Sequence, residues 1–270
     1  MPDQIIVTKQ LIEETFNGAA PTYNSIWFFK ECGQRLIELL PINTGSNTLD
    51  IATGTGMVLL PAAKRVGPKG HVTGIDISTV MLLQAKQAVK MRGLKNIDLF
   101  KMDAEHLDFA DNSFDAITCG FGIFFFPPTA LREMHRACKP GGVIGVTVFE
   151  KTTPDPKLPI EIFRQQAKEY GLELKYSWPT SFTHGEIELL LANFGFTQNK
   201  TLRETKEKVY STVEEYWEFI LSSGHRMTIM SMDEATRDRF KDEYFNRLNA
   251  IKDSDGLRER RDVIYSIAQK

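Results

Sequence analysis

Cysteine is scarce in this chain: Cys32, Cys119 and Cys138 are the whole set, and no two of them form a CxxC pair. An odd, widely spaced trio argues against a disulfide framework and against a zinc site. Buried free thiols are the expectation, and no metal is expected. Long apolar runs are missing as well. No stretch approaches the ~18 apolar residues that a bilayer-spanning helix needs. The opening Met1-Pro2-Asp3-Gln4 lacks the basic start and apolar core of a secretory leader, so the expected location is the cytoplasm. Nor is there an excess of either charge. Thirty-three Lys and Arg against 35 Asp and Glu leave a net charge of −2, which gives no overall basic surface for a nucleic-acid partner. Internal repeats and low-complexity tracts are absent.

What the chain does have is Thr48-Leu49-Asp50-Ile51-Ala52-Thr53-Gly54-Thr55-Gly56. A short apolar run ends in a small-residue loop with two glycines, and a helical pattern follows with Met57, Leu59, Leu60 and Ala63 on its apolar side. Glycine lets the backbone turn sharply and lets a ligand approach it. The helix start adds free N–H groups and the positive end of a dipole. Together they suggest a nucleotide-like cofactor.

From residue 48 onward strand and helix alternate. Apolar strands are predicted at 48–52, 71–77, 97–101, 114–120 and 142–149, with helices at 57–65, 79–92 and 129–138. Strands separated by helices imply βαβ crossovers and a parallel, doubly wound α/β sheet. Lys139-Pro140-Gly141-Gly142 reads as a helix stop and a turn. A helical segment at 1–47 precedes the core at 48–150. The rhythm changes after Glu150. A proline-rich stretch to Pro159 leads to helices at about 160–171 and 184–193 and a polar strand at 197–210. Charge-rich helices follow at 212–222 and 233–250, and a strand at 262–268 completes seven. The region 151–270 therefore holds the rest of the sheet and a helical cap at about 206–256.

Two acidic residues sharpen the cofactor. Asp76 ends the second strand, twenty residues after Gly56, where a carboxylate can accept both hydroxyls of a ribose. Asp103 ends the third, where it can accept from an adenine amino group beside the Ala104 N–H. A nicotinamide dinucleotide would use the first two features, but its fingerprint wants Gly or Ala where this chain has Leu59. No Gly-Lys-Ser/Thr phosphate loop occurs either. The cofactor reads as a nucleoside without a phosphate chain. Blander readings stand beside these: Asp50 as a loop brace or helix cap, Asp103 as a turn cap, and Tyr23 as plain packing.

Four segments, LDIATGTG (49–56), GIDIS with ML (74–82), MDAEHLDFADNSFDAI (102–117) and LREMHRACKPGG (131–142), resemble the class I S-adenosylmethionine-dependent methyltransferases. The likeness covers about residues 16–149. It is greatest to the small-molecule branch that includes the ubiquinone and menaquinone biosynthesis methyltransferases. Asn17 to Asn24 also resembles the segment that precedes the first sheet strand there. The resemblance implies a Rossmann-like fold and S-adenosylmethionine as cofactor. It implies that Ala52, Gly54 and Gly56 line the methionine moiety and that Asp50 orients the loop or reaches the amino group through water. By the same resemblance Asp76 holds the ribose, Ile77 and Met81 flank the adenine, and Asp103 and Ala104 meet its edge. Gly120 and Phe121 would face the sulfonium, and Tyr23 would close over the carboxylate. One departure stands out. The first glycine of the family's D-x-G-x-G-x-G is Ala52 here, for which only a slightly tighter fit is expected.

The implied reaction is methyl transfer to a small, partly apolar molecule, such as a quinone precursor or secondary metabolite. A general base is needed only if the acceptor must lose a proton. The candidates are His225, in the joint Ser222 to Met227, then Tyr23 and His184. His184 could instead simply cap a helix. Trp217, Met227, Phe125 and Trp178 are the candidate substrate contacts, although Met and aromatic residues on amphipathic helices are as readily ordinary core. Phe124-Phe125-Phe126 likewise suits packing. The rival readings are a cofactor-binding enzyme that catalyses a rearrangement or cyclisation, and an NAD(P)-dependent oxidoreductase. The expected partner is the small-molecule acceptor, with a homodimer as the assembly to test.

Overall fold

The computed structural model describes residues 5–176 and 179–270 of the chain. Its centre is a seven-stranded sheet in the order β4-β3-β2-β5-β6-β9-β8. The strands are β2 (Asn47–Ile51), β3 (His71–Asp76), β4 (Ile97–Lys101), β5 (Phe114–Gly120), β6 (Cys138–Phe149), β8 (Thr197–Tyr210) and β9 (Leu257–Gln269). β2 to β6 pair in parallel, and β9 runs antiparallel to β6. Parallel strands are covered on both faces, which requires continuous apolar runs. Thr48 to Ile51 and Val72 to Ile75 are accordingly buried without alternation.

The covering helices on this part of the chain are α2 (Trp27–Leu39), α3 (Leu59–Val66), α4 (Thr79–Met91), α5 (Thr129–Ala137) and α7 (His184–Asn193). The chain steps from β2 outward through β3 and β4, then returns to β5 on the other flank of β2. Strand order therefore reverses between β2 and β5. A crevice opens at the carboxyl ends of such strands, the usual ligand site of an open α/β sheet.

The structure sorts the chain into two compact units. The sheet unit comprises Trp27–Lys151, Trp178–Glu204 and Val263–Lys270. The helical unit comprises Met1–Ile26, Thr152–Ser177 and Thr205–Asp262. It contains α1 (Lys9–Ala19), α6 (Pro159–Glu169), α8 (Val213–Ser222), α9 (Arg226–Met230) and α10 (Glu234–Ile251). A two-residue parallel pair, β1 (Ile5–Ile6) with β7 (Leu174–Lys175), also belongs to it. Its core is aromatic: Phe163, Phe240 and Tyr244 pack mutually with ring centres 5.5 to 6.3 Å apart. Tyr244 donates to the Pro159 carbonyl at 2.8 Å. Within this core Tyr216 donates to Glu259 Oε2 at 2.6 Å, and Arg261 Nε lies 3.1 Å from Glu259 Oε1.

Several expectations change in detail. α3 begins at Leu59, two residues late, because residues 52–58 are spent on the glycine turn. Lys139 to Gly142 is a bulge inside β6 rather than a turn before it, since Cys138 already pairs with Phe114 and Val143 with Ala116. β9 starts at Leu257, five residues early. Its inward face there carries the buried polar residues Glu259 and Arg261, which break the apolar pattern of the strand. His184 is not a cap. Thr183 caps α7, with Glu186 completing a capping box. The joint at 222–227 holds the start of α9, which the pattern did not announce.

Candidate active site

Asp50 sits on the central strand directly opposite Thr118 of β5 and is 1% exposed. A buried carboxylate must be hydrogen-bonded. Its Oδ1 accepts from the Thr118 hydroxyl at 2.7 Å and its Oδ2 from the Thr53 hydroxyl at 2.6 Å. The Leu59 N–H at the head of α3 points to it as well. Burial nevertheless pushes its pKa up to about 7. The two hydroxyls and the Leu59 N–H oppose that shift, and the nearby Asp76 charge adds to it. Asp50 is thus the internal brace of the loop, tying β2, β5 and α3 together.

The loop turns through three left-handed residues, Ala52 (φ 54°), Gly54 (φ 55°) and Gly56 (φ 93°). The expectation of a merely tighter fit at Ala52 is corrected here. A side-chain-bearing residue in this region is strained by ~1–2 kcal/mol, so the family's usual glycine at this position has a conformational reason. The loop is fastened to β3 by two bonds: Thr53 N–H to the Ile75 carbonyl at 2.9 Å and Gly54 N–H to Asp76 Oδ2 at 2.8 Å. Asp76 Oδ1 also accepts from Ser78 N–H at 2.8 Å, which sets the start of α4. Asp76 and Ile77 are half-buried beside this turn, and Met81 is buried. Asp103, also half-buried, accepts from Glu105 N–H at 3.0 Å, and Ala104 next to it is buried.

On the β5 side the approach is made by glycines. A β-carbon on Gly120 would lie 2.8 Å from Val58 Cγ2, and one on Gly122 only 2.6 Å from Ala52 Cβ. The end of β5 therefore sets glycine backbone directly against the side chains of Val58 and Ala52. Phe121 between them is left-handed (φ 56°), and its N–H donates to the Thr147 carbonyl of β6 at 2.9 Å. Leu59 is also accounted for. A β-carbon on Gly74 of β3 would lie 2.8 Å from Leu59 Cδ1, so the close approach made by a small helix residue in a dinucleotide fold is made here by a glycine on the strand.

The sheet unit thus brings together Asp50, Ala52, Gly54, Gly56, Asp76, Ile77, Met81, Asp103, Ala104, Gly120 and Phe121 at the carboxyl ends of β2 to β5. Phe125, in a short 3-10 turn at Ile123–Phe125, follows on. Tyr23, Trp217, Met227 and His225 belong to the helical unit. Tyr23 stands edge-on to Phe16 at 6.1 Å. Trp217 is 5% exposed against Tyr244 and Phe245, and Met227 is fully buried with its sulfur 4.0 Å from the Tyr176 hydroxyl. Those are the surroundings of core residues. His225 stands edge-on to Phe163 at 5.5 Å, and burial, then Arg164 and Arg261, hold its pKa well below the usual value. Trp178 lies outside the described residues. Sequence reasoning missed Thr53, Thr118 and Gly122. Their signal is the register of two strands distant in sequence, which no local pattern shows.

Residues 24–170, just over half of the chain, match the ubiE/COQ5 methyltransferase family. The chain belongs to that family.

Among its curated relatives is a demethylmenaquinone methyltransferase of Listeria welshimeri, 35% identical over 159 residues. That match takes in 56% of this chain and 66% of the relative, so it spans just under two thirds of the relative's length. Among solved structures the fold resembles a Bacillus halodurans chain assigned as a methyltransferase, with a TM-score of 0.62 and 19% identity over 89% of this chain and 99% of that one. It also resembles the [4+2]-cyclase SpnF, with a TM-score of 0.59 and 20% identity over 98% and 97% of the two chains. No helix among the described residues is long and apolar enough to cross a membrane. No group of three His, Cys, Asp or Glu among them could hold a metal ion.

Proposed function

We propose that this family member transfers the methyl group of S-adenosylmethionine to a small, partly apolar acceptor of the quinone-precursor type. The observation that carries the reading is Asp76. Its carboxylate stands half-buried at the end of β3, held by the Gly54 and Ser78 amides, beside a loop that Gly120 and Gly122 approach from the β5 side. A ribose acceptor next to a glycine turn with no phosphate-binding residues suits a nucleoside cofactor with an amino-acid tail. The family match and the demethylmenaquinone methyltransferases among the relatives support both donor and acceptor class.

In this proposal Asp76 accepts from the ribose hydroxyls, Ile77 and Met81 flank the base, and Asp103 and the Ala104 amide meet its edge. Ala52, Gly54 and Gly56 leave room along the loop for the amino-acid tail. When bound, the cofactor supplies an electrophilic sulfonium methyl. The chain's own task is to fix the acceptor in line with it and to keep water out. Asp50 shapes the loop from within and stays out of reach of a substrate. His225 is held neutral at physiological pH, and its depressed pKa makes it a weak base. A cytoplasmic homodimer is the working form of this proposal, to be checked by fractionation and light scattering.

The cyclisation reading persists only because a [4+2]-cyclase shares this fold, and at 20% identity a shared fold does not carry activity. Turnover decides between the two. With 1,4-naphthoquinol as acceptor, one S-adenosylhomocysteine should form per methylated product. Product formation without S-adenosylhomocysteine would remove methyl transfer from consideration.

A further inference from the structure

We infer that a group of phenylalanine rings beside the glycine loop orients the methyl acceptor, that it selects a flat, uncharged ring, and that Phe121 is the residue that assembles it. The inference rests on the methyltransferase reading above and names the surface that reading leaves unassigned. It starts from strain. Among the described residues, four other than glycine have positive φ: Ala52, Asn112, Phe121 and Gln198. Asn112 is a polar residue at a turn, and Gln198 is a polar residue at the start of β8. A phenylalanine in that conformation is a genuine outlier. Strained backbone persists only where its surroundings over-determine it, and it gathers at functional sites. Ala52 and Phe121 directly follow β2 and β5, the two strands at the switch point, and Gly122 next to Phe121 packs against Ala52.

The left-handed turn brings the Phe121 ring among others. It lies 4.9 Å from Phe29 with the planes tilted 38°, and 4.8 Å from Phe149 tilted 34°. Phe28 meets it edge-on at 5.7 Å. From Phe149 the set continues to Phe124 at 5.9 Å, and from Phe124 to Phe125 at 4.8 Å. Ring pairs of this kind contribute about 0.5–1.5 kcal/mol each beyond burial, enough to offset the strain. The group is tied to the loop at two further points. A β-carbon on Gly33 of α2 would lie 2.3 Å from the Met57 carbonyl oxygen, so α2, with Phe28 and Phe29 in its first turn, rests on the backbone that follows the loop. Phe149 ends β6, the neighbour of β5.

Burial separates this group from ordinary core. Phe28, Phe121 and Phe124 are buried, at 1%, 8% and 6% exposure. Phe29, Phe125 and Phe149 are only half-buried. A buried layer thus backs a layer that keeps part of its surface accessible, at the carboxyl edge where the donor loop turns. Phenylalanine offers ring faces and edges and no hydrogen-bonding atom. A flat neutral ring gains offset stacking there, whereas a carboxylated ring would lose hydration with nothing from this layer in return.

The test is calorimetric and does not depend on turnover. The protein is saturated with S-adenosylhomocysteine and titrated with 1,4-naphthoquinone, then with 1-naphthoate. Phe29→Leu and Phe149→Leu keep apolar volume and remove the ring face. Each should weaken naphthoquinone binding about tenfold, the loss of one ring–ring contact, while leaving S-adenosylhomocysteine affinity within about twofold. The wild type should bind naphthoate at least about tenfold more weakly than naphthoquinone. Unchanged naphthoquinone affinity in both variants overturns the inference, as does equal binding of naphthoate. If one variant fails to fold, the other and the naphthoate comparison still decide. Failure of the wild type to bind S-adenosylhomocysteine would instead overturn the methyltransferase reading, which keeps the two failures distinct.

Discussion

The Gly54 amide donates to Asp76 Oδ2 at 2.8 Å, across twenty-two residues of sequence. One carboxylate thereby fixes the cofactor loop after β2, while its other oxygen sets the start of α4. Replacing Asp76 by Ala should remove a charge-assisted acceptor worth roughly 1.5–3 kcal/mol. The expected result is a 10- to 100-fold loss of S-adenosylhomocysteine affinity by calorimetry. Asp76→Asn, which keeps one acceptor oxygen, should lose less. An Asp76→Ala protein that binds normally would refute the assignment of the ribose site.

Asp50 predicts a pH dependence. Its pKa rises from the usual 3.8 to about 7 on folding, because burial penalises the charge. Between those values the folded state holds a proton that the unfolded state has released. Stability from this group is therefore fully present below about pH 4 and is lost as pH rises through 7. Asp50→Asn has no such titration. Denaturant melts of both proteins should show the variant gaining relative to wild type from pH 5 to pH 8. A constant difference across that range would contradict the raised pKa of a buried carboxyl.

Ala52 and Gly122 predict a compensating pair. Gly122→Ala would put a methyl 2.6 Å from Ala52 Cβ and 2.9 Å from Cys119 Sγ, and should destabilise by about 1–3 kcal/mol. Ala52→Gly releases a left-handed alanine, and should raise stability by up to about 1 kcal/mol after the entropy of the added glycine is counted. In the double variant part of the Gly122→Ala loss should be recovered. A strictly additive cycle, read by chemical denaturation, would show that the two residues do not meet.

Glu259 predicts the cost of opening the helical unit's core. It is fully buried between the Tyr216 hydroxyl and Arg261. Glu259→Leu leaves Arg261 without that carboxylate and should cost about 3–5 kcal/mol. Tyr216→Phe, which removes one donor, should cost about 1–3 kcal/mol. Thermal melts distinguish the two, and equal small losses would refute the buried pair.

The sequence by itself determined the sheet and the places of its glycine turn and strand-end carboxylates. Parallel strands buried on both faces must read as apolar runs, and glycine turns and strand-end carboxylates fall at set distances along the chain. Asp50, Gly54, Gly56, Asp76 and Asp103 were therefore all legible. Only the tertiary structure decided what those residues hold. Thr118 reaches Asp50 because β2 and β5 pair at one register. Gly74 admits Leu59 because α3 lies on β3. The strain at Ala52 is a matter of backbone torsion, and composition carries no record of torsion. The helical unit was least legible. A buried Glu259 and Arg261 on β9 break the apolar pattern, and a two-residue strand such as β1 has no period to read. Phe121 shows the division clearly. Its place after β5 followed from the motif order, but its partners Phe28, Phe29 and Phe149 come from two other elements, and only folding brings the four rings into one group.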